Sequence, residues 1–152
     1  MRDREGKEVS SNFYWLPAKL STTEFEKASD TAVAAINTFE DLKALNELPK
    51  VPVEAKAHVE KVEGGDVVWV TLHNSSKSLA FQIHLGIHKA GQEDEVLPVL
   101  WEDNYVSLLP GESKSLKARF PGKQVLGKGA TLAVDGWNIA PISVRLLEAG
   151  KD

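Results

Sequence analysis

From Pro49 onward the sequence alternates with a period of two, and that rhythm restricts the fold more than any other feature. Val53, Ala55, Ala57 and Val59 are separated by Glu54, Lys56, His58 and Glu60. Successive side chains of an extended chain point to opposite faces, so this is a strand with one side in a core and one in water. Gly64 and Gly65 turn the chain into a second run, where Val68, Val70 and Leu72 share a face and Trp69 takes the other. After a loop at Asn74, Ser75 and Ser76, five apolar residues from Leu79 to Ile87 alternate with Ala80, Gln82, His84, Gly86 and His88. This is the cleanest strand pattern in the sequence. Leu116, Ala118 and Phe120 repeat it against Ser115, Lys117 and Arg119, and 122–129 reads as a loop. Segments 131–137 and 142–147 supply two closing strands.

About seven short, turn-punctuated strands over about 100 residues predict an all-β fold, an immunoglobulin-like antiparallel β-sandwich. The chain has no cysteine, so apolar packing alone must hold the two sheets together. The stretch 96–112 is the hinge of this arrangement. Two apolar runs flank Glu102, Asp103 and Asn104, whose short polar side chains bend a chain by bonding their own backbone. The second run ends in Pro110-Gly111, which predicts a type II turn over 109–112.

The N-terminal part reads differently. Phe13, Tyr14, Trp15 and Leu16, stopped by Pro17, predict a short strand covered on both faces. Periodicity does not arbitrate between helix and strand for Ala32 to Ile36, and 22–29 is compatible with a helical turn. Thr38 can cap a two-turn helix in which Phe39, Leu42 and Leu45 share a face, closed by 46–49. The expected organisation is a junction strand over 1–17, a connector with this short helix over 18–48, the sandwich over 49–148 and a tail over 149–152.

The ordered phrases of the sequence resemble a known family. They are Asn12 to Leu16, Leu48-Pro49, Leu79-Ala80-Phe81, Glu95 to Val99, Asp103 to Glu112 and Gly136-Trp137-Asn138. Together they resemble the C-terminal immunoglobulin-like domain of family-two glycoside hydrolases, in the branch of exo-β-D-glucosaminidase and mannosylglycoprotein endo-β-mannosidase. Ser11 departs from a frequent Arg, and Gln82 and His84 stand where aromatic or Arg side chains are common. The resemblance implies a parent with a galactose-binding-like sandwich, an immunoglobulin-like domain, a catalytic (β/α)₈ barrel and two further sandwiches, of which this chain is the last. The catalytic pair of such hydrolases, two glutamates at the ends of barrel strands, has no counterpart here. The implied role is a non-catalytic accessory domain that docks on and buttresses the barrel, with Phe13, Tyr14 and Trp15 packing between domains. The implied partners are the other domains of the same hydrolase, and the implied parent is secreted or periplasmic. The charged start, 1–8, is not a signal peptide, which fits a piece of a longer chain.

Composition and spacing speak against other classes. A net charge of −4 gives no reason to expect nucleic acid, and Lys114, Lys117, Arg119, Lys123 and Lys128 read as a solvated end. No apolar run is long enough to cross a membrane as a helix. His84 and His88 lie about 13 Å apart on a strand, too far for one zinc, and His73 is at best a cross-strand neighbour of His84. Glu93, Asp94 and Glu95 with Glu102, Asp103 and Asn104 match no calcium-loop spacing. Ser75, Ser76, Ser107 and Ser113 lack a nucleophile context. No cofactor is expected. Trp101, Tyr105 and Trp137 are the remaining lead, because flat rings at strand ends stack on sugar C–H faces. Burial in the core or in an interdomain seam is the stronger expectation for them. The second reading is therefore a carbohydrate-binding module for chitosan-type or mannose-type glycans.

Overall fold

The computed structural model describes residues 3–6, 9, 12–17, 19–24, 35–120 and 126–148. The chain divides into two compact units, 1–48 and 49–152.

In the first unit, strands β1 (Thr22–Glu24) and β2 (Ala35–Thr38) pair antiparallel. Thr38 therefore belongs to a strand, with its Oγ1 2.6 Å from that of Thr22, and it caps no helix. The expected helix is reduced to a 3₁₀ turn over Lys43–Glu47, started by the Lys43 N–H donating to Asp41 Oδ1 at 3.1 Å. Phe39 is exposed rather than on a helical face. Of the ambiguous stretches, 25–34 lies outside the described residues, as do Ser11 and the first half of the 122–129 loop, Lys123 included. Residues 12–17 form no strand within this chain, contrary to the expectation from their apolar run.

The second unit is the sandwich that the alternation predicts. One sheet has the order β11-β3-β4-β8-β6, with β3 (Glu54–Val62), β4 (Gly65–His73), β6 (Leu100–Trp101), β8 (Ser113–Arg119) and β11 (Leu147–Glu148). The other has the order β10-β9-β5-β7, with β5 (Ala80–His88), β7 (Val106–Leu108), β9 (Thr131–Gly136) and β10 (Ile142–Arg145). All pairings are antiparallel except β11 on β3. Val68, Val70, Leu72 and Leu116 from one sheet and Ile83, Leu85, Ile87, Leu132 and Val134 from the other form one core. Each fully buried Leu or Ile contributes about 1.5–3 kcal/mol, which is how the fold holds without a disulfide.

Between β5 and β8 the chain changes sheet at each step: β6 lies on β8, β7 lies back on β5, and a turn then leads into β8. The turn is as expected. Glu112 N–H donates to the Leu109 carbonyl at 3.0 Å, and Gly111 has φ 75°, which only glycine adopts without strain.

Three asparagines fasten these crossings. The buried Asn74 donates to the carbonyls of Ser78 and Leu108 and accepts from Ser76. The buried Asn138 accepts from Phe81 N–H at 2.8 Å and donates to the carbonyls of Pro49 and Leu79, both at 2.8 Å. Asn104 accepts from its neighbour Tyr105 N–H, as a bend residue should, and also reaches across to β5. Such carboxamides satisfy backbone groups that sheet pairing leaves over.

Candidate functional site

β5 is less regular than its sequence. Ala80 and Phe81 are both buried, Gln82 adopts φ 53°, and the pairing with β7 shifts register between Ala80 and Ile83. This is a β-bulge, and Gln82 N–H donates to Ser107 Oγ at 3.2 Å. Tyr105, on the facing segment, also has a positive φ of 55°. Among the described residues these are the two non-glycine positions in the left-handed region, and both flank His84. Left-handed non-glycine backbone is costly and tends to gather where a surface has a task.

Past the bulge the alternation resumes, and His84 points to the outer face of the four-stranded sheet. Its ring stacks on Tyr105, with centroids 4.9 Å apart and planes at 27°. The strand register sets His84 opposite Asp135, and Nδ1 lies 3.2 Å from Asp135 Oδ1. Nε2 lies 3.6 Å from Glu95 Oε1, beyond hydrogen-bond range but within electrostatic reach. Glu95 lies over Gly86, whose missing side chain makes room for it. The imidazole thus sits between two carboxylates, covered by a phenol ring. The arrangement can hold a ligand by stacking and by charge. Apart from the titratable imidazole it presents no nucleophile.

The predicted site residues separate. Tyr105 and Trp137 are both exposed, Tyr105 just before β7 and Trp137 just after β9, the two strands on either side of β5. Trp137 packs edge-on against Phe81, with centroids 6.5 Å apart. Trp101 belongs to the other sheet, where it is half-buried against the core. Phe13, Tyr14, Trp15 and Leu16 are exposed, Tyr14 at 76% and Leu16 at 83%.

The other candidates find local partners. His73 is on β4 and His84 on the opposite sheet, so they are not cross-strand neighbours. His73 Nδ1 instead lies 2.8 Å from Ser113 Oγ, a pair that the sequence reading missed because it depends on register. No carboxylate completes it among the described residues. Glu102 pairs with Lys117 at 2.7 Å, Asp103 with Lys114 at 2.6 Å, and Asn104 with Leu85, so the acidic break faces three ways. No group of three or more metal-ligating side chains converges among the described residues.

The family model described as the exo-β-D-glucosaminidase Ig-fold domain matches residues 31–139. The chain belongs to this family. Over 146 residues it is 33% identical to the exo-β-D-glucosaminidase of Streptomyces avermitilis, covering 95% of this chain and 16% of that one. Over 142 residues it is 37% identical to the enzyme of Amycolatopsis orientalis, covering 91% of this chain and 14% of that one. The crystal structure of the Amycolatopsis orientalis exo-chitosanase superposes with a TM-score of 0.80 at 34% identity, covering 95% of this chain and 17% of that one. The chain therefore spans about one sixth or less of its relatives' length, and it corresponds to their immunoglobulin-like domain. The glucosaminidase side of the sequence resemblance is confirmed, whereas these relatives lend no support to the β-mannosidase side. At 152 residues the chain is also shorter than a (β/α)₈ barrel of about 250 residues.

Proposed function

We propose that this domain is the non-catalytic accessory part of an exo-β-D-glucosaminidase, docking on the catalytic barrel and buttressing it. The observation that carries this reading is the exposure of the run Phe13, Tyr14, Trp15 and Leu16, above all of Tyr14 and Leu16. Large apolar surface left exposed is unfavourable by about 25 cal/mol for each Å², and a neighbouring domain would remove that cost. The parent's activity on glucosamine-containing chains rests on barrel residues outside this chain.

A chimera tests the reading. This chain replaces the matching segment of the Amycolatopsis orientalis enzyme, with and without Trp15→Ser and Leu16→Ser. The expected result is one cooperative melting transition in the first chimera and two separate transitions in the substituted one. Identical melting of both would overturn it.

A second reading is a carbohydrate-binding module, and it is favoured by the exposure of Tyr105 and Trp137 on either side of the bulged strand. Glucosamine oligosaccharides would then stack on Tyr105, with Asp135 and Glu95 receiving their ammonium groups. Saturable amide shifts around His84, lost in Tyr105→Ala, support this reading, and a flat titration at millimolar concentration removes it.

A further inference from the structure

A different aromatic stands on the other sheet. Trp69 projects from the outer face of β4, between His58 of β3 and Lys117 of β8 in register. Its indole N–H donates to Glu60 Oε2 at 2.9 Å. The Lys117 ammonium lies 5.3 Å from the ring centroid and is itself held by Glu102. The ring is fixed at one edge and over one face, yet 37% of the residue remains exposed. A rigid, oriented indole left in water is an expensive way to cover a sheet and an effective way to present a stacking surface.

Beside it lies a cleft of about 400 Å³ that runs to the β3–β4 hairpin. Such a volume is within the usual range for small-ligand sites, about 300–1,000 Å³. Its lining includes Trp69 and Val67, the acidic Glu60 and Glu63, and the basic Arg119 and Lys117, the latter already paired with Glu102. Among the described residues neither Glu63 nor Arg119 is engaged in an ion pair, so the lining offers one acidic and one basic side chain for a ligand. Asp66, also on the lining, is buried and already accepts from Leu126 N–H at 2.7 Å, which makes it part of the wall.

We propose that this cleft is a binding subsite for a β-linked glucosamine unit. A C–H face of the pyranose stacks on the exposed part of Trp69, the ammonium group is received by Glu60 and Glu63, and Arg119 donates to ring hydroxyls. The choice of an amino sugar over a neutral one rests on the two carboxylates and on the membership in the glucosaminidase family. The site is independent of docking through Phe13 to Leu16 and of the Tyr105 face.

The test is a titration of the full chain with a β-1,4-linked glucosamine tetrasaccharide, followed by amide and indole NMR shifts, with the matching glucose and N-acetylglucosamine oligomers in parallel. Saturable shifts of the Trp69 indole N–H and of hairpin amides 63–66 are expected. Trp69→Ala should weaken binding at least tenfold, Trp69→Tyr should retain part of it in a folded chain, and Glu63→Gln should narrow the preference for the amine several-fold. A flat titration overturns the subsite and leaves the docking reading intact. Shifts that centre on Tyr105 and survive Trp69→Ala overturn it in favour of the other face, and equal binding of the glucose oligomer overturns the role of the carboxylates.

Discussion

The side chain of Asn104 pairs with Leu85 as a neighbouring strand would: Oδ1 accepts the Leu85 N–H at 2.9 Å, and Nδ2 donates to the Leu85 carbonyl at 3.0 Å. The chain is leaving one sheet for the other at this point, and its backbone cannot serve β5. A carboxamide supplies the same donor and acceptor from one residue.

Asn104→Ala should therefore cost about 1–3 kcal/mol, the penalty for leaving backbone groups unsatisfied. Asn104→Asp should cost a similar amount, since a carboxylate accepts from the N–H but repels the carbonyl. Urea unfolding measures both. Asp103→Ala, which removes only an exposed pair with Lys114, should change stability by less than about 1 kcal/mol.

Asn138 carries a heavier load, being buried with three backbone partners from two separate segments. Asn138→Ala should cost about 3 kcal/mol or more, because one donor and two acceptors lose their partner together. A loss no greater than that of Asp103→Ala would show that these groups find other partners.

Two glycines separate flexible from rigid crowding. A Cβ on Gly86 would come within 2.6 Å of Glu95 Oε1, the end of an exposed and movable side chain. On Gly136 it would come within 2.6 Å of the Gln82 carbonyl oxygen and 2.7 Å of Ile139 Cγ1, neither of which can step aside. Gly86→Ala should cost less than about 1 kcal/mol while shifting the His84 ring resonances, whereas Gly136→Ala should cost about 1–3 kcal/mol or more. Thermal melts with a His84 NMR readout distinguish the two.

At the sheet edge, Lys61 Nζ lies 2.9 Å from Glu148 Oε1. The hydrogen bond to Glu148, and then the charge of that carboxylate, raise the Lys61 pKa above its ordinary 10.5. A raised amine pKa means that the pair's contribution is fully present below the unfolded value and fades as pH climbs through the folded one. NMR titration should place the Lys61 midpoint above 10.5 in the native chain and return it toward that value in Glu148→Gln.

The strands of the sandwich were legible because their alternation is imposed by burial: Val68, Val70 and Leu72 have no other way to share a core. The Pro110-Gly111 turn was legible for the same kind of local reason. What escaped was set by register and by distant backbone. Asn74 and Asn138 read as loop residues, and Asn104 as a bend that bonds its own backbone, because nothing local tells which distant backbone groups they will meet. The bulge at Gln82 is hidden by an intact apolar rhythm, and the pairing of His84 with Asp135 spans 51 positions. Thr38 had every local property of a cap and was claimed by Thr22 instead. For the sugar candidates, sequence identified the ring types, while their division between two sheets, and the cleft beside Trp69, belong to the topology alone.

The outermost strands of both sheets are short: β11 and β6 have two residues each, β7 has three and β10 four. A long free edge invites another chain to add itself to the ladder, and a stub offers too few open N–H and carbonyl groups to template one. A sandwich finished in this way can be carried at the flank of a larger enzyme, or crowded among its copies, without recruiting neighbours into runaway sheets. Its capacity for partners is thereby left to side chains.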